Sequence, residues 1–85
     1  MATATPSPTP NPDAMKYSLD VAFDAMVTYG SAEEAAGDPF AAAVFAAPGV
    51  ASLFATADFC TVTRVPGADW EPITAAVQAA AAEHL

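Results

Sequence analysis

The sequence predicts an α+β domain, a two-layer sandwich whose mainly antiparallel sheet of about four to five strands carries two helices on one face. Three observations predict it: apolar residues recur at every second position from residue 15 to residue 29, two β-prone runs follow a proline–glycine pair, and two segments begin with helix-capping residues. The predicted order is β-β-α-β-β-α, with room for an extra N-terminal edge strand. Eighty-five residues enclose a single core. Half of the hydrophobic residues are alanine, so that core is modest.

The first eight residues are predicted to be extended. Pro6 and Pro8, followed by Pro10 and Pro12, each fix φ and remove a backbone donor. Such a segment is either an edge strand whose donor-free positions face outward or an unpaired, polyproline-like arm. Residues 1–8 are therefore assigned to this arm or edge strand, and residues 9–85 to one domain.

The next segment places an apolar residue at every second position from Met15 to Tyr29, the period that puts side chains on one face of a strand. It forms two strands or one long bent strand. Asp20 is a plausible turn residue at the middle of the run, which favours a hairpin between two strands.

Helix-start signals come next. The Ser-Ala-Glu-Glu run at 31–34 fits a capping box, in which the Ser31 hydroxyl accepts from the amide of Glu34 and the Glu34 carboxylate reaches back to the amide of Ser31. Asp38 then caps a second start, with Pro39 at the first helical position. Pro48-Gly49 ends that helix.

Two β-prone runs, 50–55 and 59–65, are separated by a loop of hairpin length and should pair antiparallel. Asp69 is positioned to cap a last helix, which tolerates Pro72 in its first turn. The predicted apolar stripe of this helix is Trp70, Ile73, Val77 and Ala80 or Ala81. The larger apolar residues expected to carry the core are Phe23, Phe40, Val44, Phe45, Val50, Leu53, Phe54, Phe59, Val62, Trp70, Ile73 and Val77.

The charge is strongly negative, because ten acidic residues face only Lys16 and Arg64, for a net charge of -8. This charge repels phosphate backbones and anionic lipids, so we expect no nucleic acid and no membrane among the partners. It fits either a merely well-solvated surface or a basic protein partner. The sequence contains no signal-peptide pattern and no apolar run long enough to span a membrane, so we expect a cytoplasmic protein. We also expect a monomer.

The chemistry-bearing residues are few, and we expect neither an enzyme nor a bound cofactor. His84 is next to the last residue, and Cys60 has no second cysteine, so one subunit supplies neither a nucleophile–base pair nor a tetrahedral metal site. Cys60 shares a strand face with Val62 and is expected to be a buried thiol. Phe59 lies on the opposite face; if exposed, it is a candidate partner contact together with Val65. A metal or cluster bridged by Cys60 from two or more subunits is the remaining alternative.

Five blocks of the sequence form an ordered set of motifs: T-P-N-P-D-A-M-K-Y at 9–17, D-P-F-A at 38–41, V-F-A-A-P-G-V at 44–50, D-F-C-T-V-T-R at 58–64 and D-W at 69–70. In this order they resemble motifs of the N-terminal domain of Nfu/NifU-like iron–sulfur scaffold proteins. The positions that carry the resemblance are Thr9, Pro10, Asn11, Pro12, Lys16, Pro39, Gly49, Val50, Asp58, Phe59, Thr61, Val62 and Trp70.

The resemblance implies the fold of that family, with residues 1–7 as its first edge strand. We expect Pro10 and Pro12 to fix a turn into the sheet, Asn11 to bond its own backbone there, and Trp70 to pack the last helix on the sheet. Full-length relatives hold the cluster in a separate domain with a CxxC motif, which does not occur in this sequence, so cluster scaffolding is not carried over. The resemblance implies a non-catalytic interaction module that docks on iron–sulfur assembly factors or recipient apoproteins. The alternative is an adaptor or regulatory domain that keeps the fold without that pathway.

Overall fold

The computed structural model describes residues 2–85, which form five strands and three helices. In chain order these are β1 (Ala4–Pro8), β2 (Ala14–Leu19), β3 (Val27–Tyr29), α1 (Ala32–Ala35), α2 (Pro39–Phe45), β4 (Val50–Thr56), β5 (Phe59–Arg64) and α3 (Trp70–His84). The strands form one sheet in the order β1-β2-β5-β4-β3, with every neighbouring pair antiparallel. The predicted α+β architecture is confirmed, with α1 as a single additional turn. No helix in residues 2–85 is long and apolar enough to cross a membrane.

The hairpin predicted at Asp20 is wrong, because β2 pairs with β5 and β3 pairs with β4. Residues 20–26 instead cross the end of the sheet beside the turn that joins β4 to β5. Two backbone bonds hold the crossing: the Leu19 N–H donates to the Asp58 carbonyl, and the Phe23 N–H donates to the Ala57 carbonyl, both at 2.7 Å. The alternation continues in phase through the crossing, so the sequence pattern contains no mark of the change of partner.

The N-terminal segment is an edge strand, so the unpaired arm is excluded for residues 4–8. In the β1–β2 register Pro6 lies opposite Tyr17 and Pro8 opposite Met15. Proline has no N–H, so neither Pro6 nor Pro8 can donate to a neighbouring strand, which is why proline in a sheet is confined to an edge strand with its missing donor on the outer side. The outer edge of β1 therefore lacks donors at both prolines.

The helix caps agree with the sequence at two of three sites. The Ser31 hydroxyl accepts from the Glu34 N–H at 3.3 Å, although the Glu34 carboxylate reaches the N–H of Gly30 rather than that of Ser31. Asp38 accepts from the amides of residues 40 and 41. Asp69 occupies the cap position of α3, but its side chain makes no capping hydrogen bond.

The core lies between one face of the sheet and the helices. Its strand residues belong to a single alternation phase, and its helix residues come from α1, α2 and α3: Ala4, Tyr17, Leu19, Leu53, Ala55, Cys60 and Val62 from the sheet, and Ala35, Phe40, Ala41, Val44, Ile73, Val77, Ala80 and Ala81 from the helices. The core placement of Phe54 and Phe59 is wrong, because both belong to the opposite phase. Both are only partly buried. Six of these fifteen residues are alanine, so the core is modest, as the composition predicts.

Candidate functional site

Several of the motif residues meet at one end of the sheet, which we call the motif end: residues 9–13, Gly49, Arg64 and Trp70. Within the turn, the Thr9 hydroxyl donates to the Ala14 carbonyl at 3.0 Å and accepts from the Asn11 N–H at 3.2 Å. The Asn11 side-chain oxygen accepts from the Asp13 N–H at 2.9 Å, as predicted for an asparagine that bonds its own backbone. The turn is therefore closed by its own side chains.

Arg64 joins this turn to the start of α3. Its Nε lies 3.2 Å from an Asp13 carboxylate oxygen, and one terminal nitrogen donates to the Ala68 carbonyl at 2.7 Å. Its guanidinium lies 5.2 Å from the centre of the Trp70 ring, within cation–π range. The Trp70 indole N–H donates to the Pro12 carbonyl at 3.4 Å. The sequence did not single out Arg64, because only the fold brings these segments together.

Gly49 completes the motif end. Its φ is +89°, and a Cβ placed there would lie 2.4 Å from the Cβ of Ala68. The Gly49 carbonyl accepts from the Val65 N–H at 2.8 Å. The polar groups of the motif end bond mainly with one another, so its residues have a clear structural role and offer few free groups to a ligand.

Three other motif residues, Lys16, Phe59 and Thr61, occupy the sheet face that no helix covers, which we call the open face. Strand alternation and register place one row across all five strands, Ser7, Lys16, Thr61, Phe54 and Thr28, and a second row of Thr5, Ser18, Phe59 and Thr56. A third, shorter row contains Ala14, Thr63 and Ser52. Hydroxyl side chains thus dominate the open face, and none of its strand positions is acidic.

An aromatic pair lies at the centre of the open face. The rings of Phe54 and Phe59 are 6.2 Å apart and tilted by 55°, a favourable aromatic geometry. The Lys16 ammonium lies 4.5 Å from the centre of the Phe59 ring. The open face therefore combines an apolar centre with a single positive charge, in a protein whose net charge is -8.

The two residues predicted as a partner contact are not brought together. Phe59 begins β5, whereas Val65 follows its last residue and is 45% exposed. Six residues of extended strand separate them by about 20 Å. Phe54, which the sequence prediction placed in the core, is the actual neighbour of Phe59. The sequence signal that could have identified this pair is the register of the β4–β5 hairpin, which makes Phe54 and Phe59 diagonal neighbours on one face.

The remaining motif residues lie in the core, at a helix start or in a turn, where they support the fold. Val62 is fully buried, and Pro39 begins α2. Val50 packs against the edge of the core. Asp58 lies in the β4–β5 turn, where its carbonyl accepts from Leu19.

Cys60 and His84 do not form a reactive centre. Cys60 is fully buried, and burial raises the pKa of its thiol from 9.0 to about 12. A second subunit cannot reach this sulfur without opening the core, which argues against a cluster bridged by Cys60. His84 lies at the end of α3, 3.9 Å from the Glu83 carboxylate. Within residues 2–85 no three His, Cys, Asp or Glu side chains are grouped as a metal site would require, and no pocket opens.

Comparison with known proteins is consistent with this geometry. The family described as "Scaffold protein Nfu/NifU N terminal" matches residues 5–85. The crystal structure of protein SAV1430 from Staphylococcus aureus is similar, with a TM-score of 0.79, 27% sequence identity, and 92% of this chain and 96% of that chain covered. The solution structure of SeR13 from Staphylococcus epidermidis has a TM-score of 0.65 and 32% identity, covering 93% of each chain. None of the curated proteins matches this sequence significantly.

Proposed function

Because this chain belongs to the Nfu/NifU N-terminal family, we propose that it is a non-catalytic protein-interaction module in the assembly or delivery of iron–sulfur clusters. The family is associated with scaffold proteins for such clusters. The observation that supports an interaction role is the open face, where Phe54 and Phe59 have no covering layer. Its partners are iron–sulfur assembly factors or recipient apoproteins, and neither nucleic acid nor a membrane.

The chemistry of the open face suits a reversible protein contact. An antiparallel sheet commonly leaves one face to water, and such a face is usually polar. An aromatic pair at the centre of that face supplies apolar area that a partner can cover, while the surrounding hydroxyl groups can exchange hydrogen bonds with water or with the partner. Because the aromatic area is small, the contact is of the transient class rather than an obligate one.

The experiment compares two single substitutions at opposite ends of β5. Phe59→Thr removes the aromatic ring while keeping a β-branched residue in the strand. Val65→Thr makes a comparable apolar-to-polar change at the distant, exposed position. The wild type and the two variants are each immobilised and exposed to an extract of the native host. The iron–sulfur assembly proteins that each one retains are then quantified by mass spectrometry.

We expect the wild type and Val65→Thr to retain these proteins, and Phe59→Thr to lose most of them with an unchanged far-UV circular dichroism spectrum. Retention of unrelated proteins only would favour the adaptor alternative. Equal retention by all three proteins would contradict the assignment of the open face as the contact surface.

A further inference from the structure

We propose that the free edge of β3 is a docking site for an extended segment of a partner protein that carries lysine or arginine side chains. The segment would pair with β3 and add a strand to the sheet, a common mode of peptide recognition. This site is the outer backbone edge of β3, which borders the open face at Thr28, and it requires only the features of the edge, whichever pathway the partner serves.

The two edges of the sheet differ in their capacity to pair. The outer edge of β1 contains Pro6 and Pro8, which offer no N–H, and proline at an edge blocks the addition of another strand. At the other side, β3 contains valine, threonine and tyrosine and no proline, and within residues 2–85 it pairs only with β4. Alternate residues of a strand direct their N–H and C=O groups to opposite edges, and no residue of β3 lacks the donor for its outer edge. The β1 edge therefore cannot readily pair with a further strand, whereas the β3 edge can.

The surroundings of the open edge are acidic. Residues 24–38, which contain β3 and both flanking segments, include Asp24, Glu33, Glu34 and Asp38 and no lysine or arginine. The two cations of the chain lie on β2 and β5, which are separated from β3 by β4. A segment that pairs with β3 therefore enters a negative potential, and this selects positive side chains.

Two further features mark this edge as a place of contact. Met26, immediately before β3, is 65% exposed, the most exposed large hydrophobic residue within residues 2–85. Thr28, at the middle of β3, is also exposed. An incoming strand could cover the methionine while pairing with the backbone beside it. Because β3 has three residues, the pairing is short, and the affinity depends on the charges as well as on the backbone bonds.

The test uses the peptide KVKVKVK as the probe and ¹⁵N-labelled protein as the target. We expect the amide signals of residues 26–30 to shift and hydrogen exchange to slow at those amides among them that face the outer edge, while the amide signals of Thr5 and Ser7 are unaffected. The same peptide with alternate backbone nitrogens methylated keeps its charge but cannot pair, and it should bind at least about tenfold more weakly. The peptide EVEVEVE should not bind.

The matched protein variants separate charge at the edge from charge elsewhere. Asp24→Asn combined with Glu33→Gln should weaken KVKVKVK about two- to fivefold per carboxylate removed. Glu71→Gln combined with Glu83→Gln removes the same charge from α3 and should have a smaller effect. Equal binding of the methylated peptide, or shifts centred on β1 or on the open face, would overturn the proposal. The open-face assignment would be unaffected by that result.

Discussion

Gly49 and Gly67 offer a matched test of how closely the motif end is packed. Both have positive φ, +89° and +88°. A Cβ at Gly49 would lie 2.4 Å from the Ala68 Cβ, whereas a Cβ at Gly67 would have no neighbour within 4 Å. Substitution by alanine therefore adds the same backbone strain at both positions but a steric clash at only one.

The expected losses can be estimated separately. Left-handed backbone costs a non-glycine residue about 1–2 kcal/mol. Forcing an extra methyl into a packed site costs about 1–3 kcal/mol more. Ala68 cannot easily move away, because its carbonyl accepts from Arg64 at 2.7 Å and its N–H donates to Val65 at 3.1 Å. We expect Gly67→Ala to lower the free energy of unfolding by about 1–2 kcal/mol and Gly49→Ala by about 2–5 kcal/mol.

Urea unfolding of the two variants and of wild type measures this difference. Adding Ala68→Gly to Gly49→Ala should restore the steric part of the loss and leave the backbone part. Equal destabilisation by Gly49→Ala and Gly67→Ala, or no recovery with Ala68→Gly, would refute the close approach of these two backbone segments.

Three further predictions concern Cys60 and Arg64. The pKa of the Cys60 thiol is about 12 in the folded protein and 9.0 in the unfolded chain, so the unfolded chain loses this proton first as pH rises. The free energy of unfolding should therefore fall between these two pH values. By pH 10 the stability of wild type relative to Cys60→Ala should decrease by about 1.4 kcal/mol, measured by urea unfolding at each pH; a pH-independent difference would contradict this. Arg64→Lys should cost about 1–2 kcal/mol, because lysine cannot hold Asp13 and the Ala68 carbonyl together, and a double-mutant cycle with Asp13→Asn should show coupling rather than additivity. Anaerobic reconstitution with iron and sulfide should leave the chain colourless, because its one thiol is buried; a stable visible absorption band would disprove this.

The local elements could be predicted from the sequence because their signals are local. The Asp38-Pro39 pair specifies a helix start through groups only a few residues apart, and Pro48-Gly49 specifies its end in the same way. The β4–β5 hairpin is joined by a short loop, so its pairing was also predictable. These signals correctly gave the α+β architecture.

The pairing of distant strands could not be predicted by the same means. β2 and β3 share one unbroken alternation, and nothing in it shows that residues 20–26 cross the sheet end rather than turn back. That choice depends on contacts with β5 and with the β4–β5 turn, which lie far along the chain. Strand periodicity defines two faces of a strand but does not show which face the helices cover. For this reason the sequence prediction wrongly placed Phe54 and Phe59 in the core.

The positions of Lys16 and Arg64 finally connect the two proposed surfaces. Arg64 is engaged at the motif end and Lys16 lies over Phe59, so the cations weaken the negative potential around β2 and β5 and leave it strong around β3. Binding at the open face should therefore respond weakly to salt, whereas binding at the β3 edge should weaken steeply as the Debye length falls to about 10 Å at 0.1 M. A partner that uses both surfaces would be steered to the β3 edge first and would cover the aromatic pair afterwards, so Asp24→Asn would slow its association while Phe59→Thr would speed its dissociation.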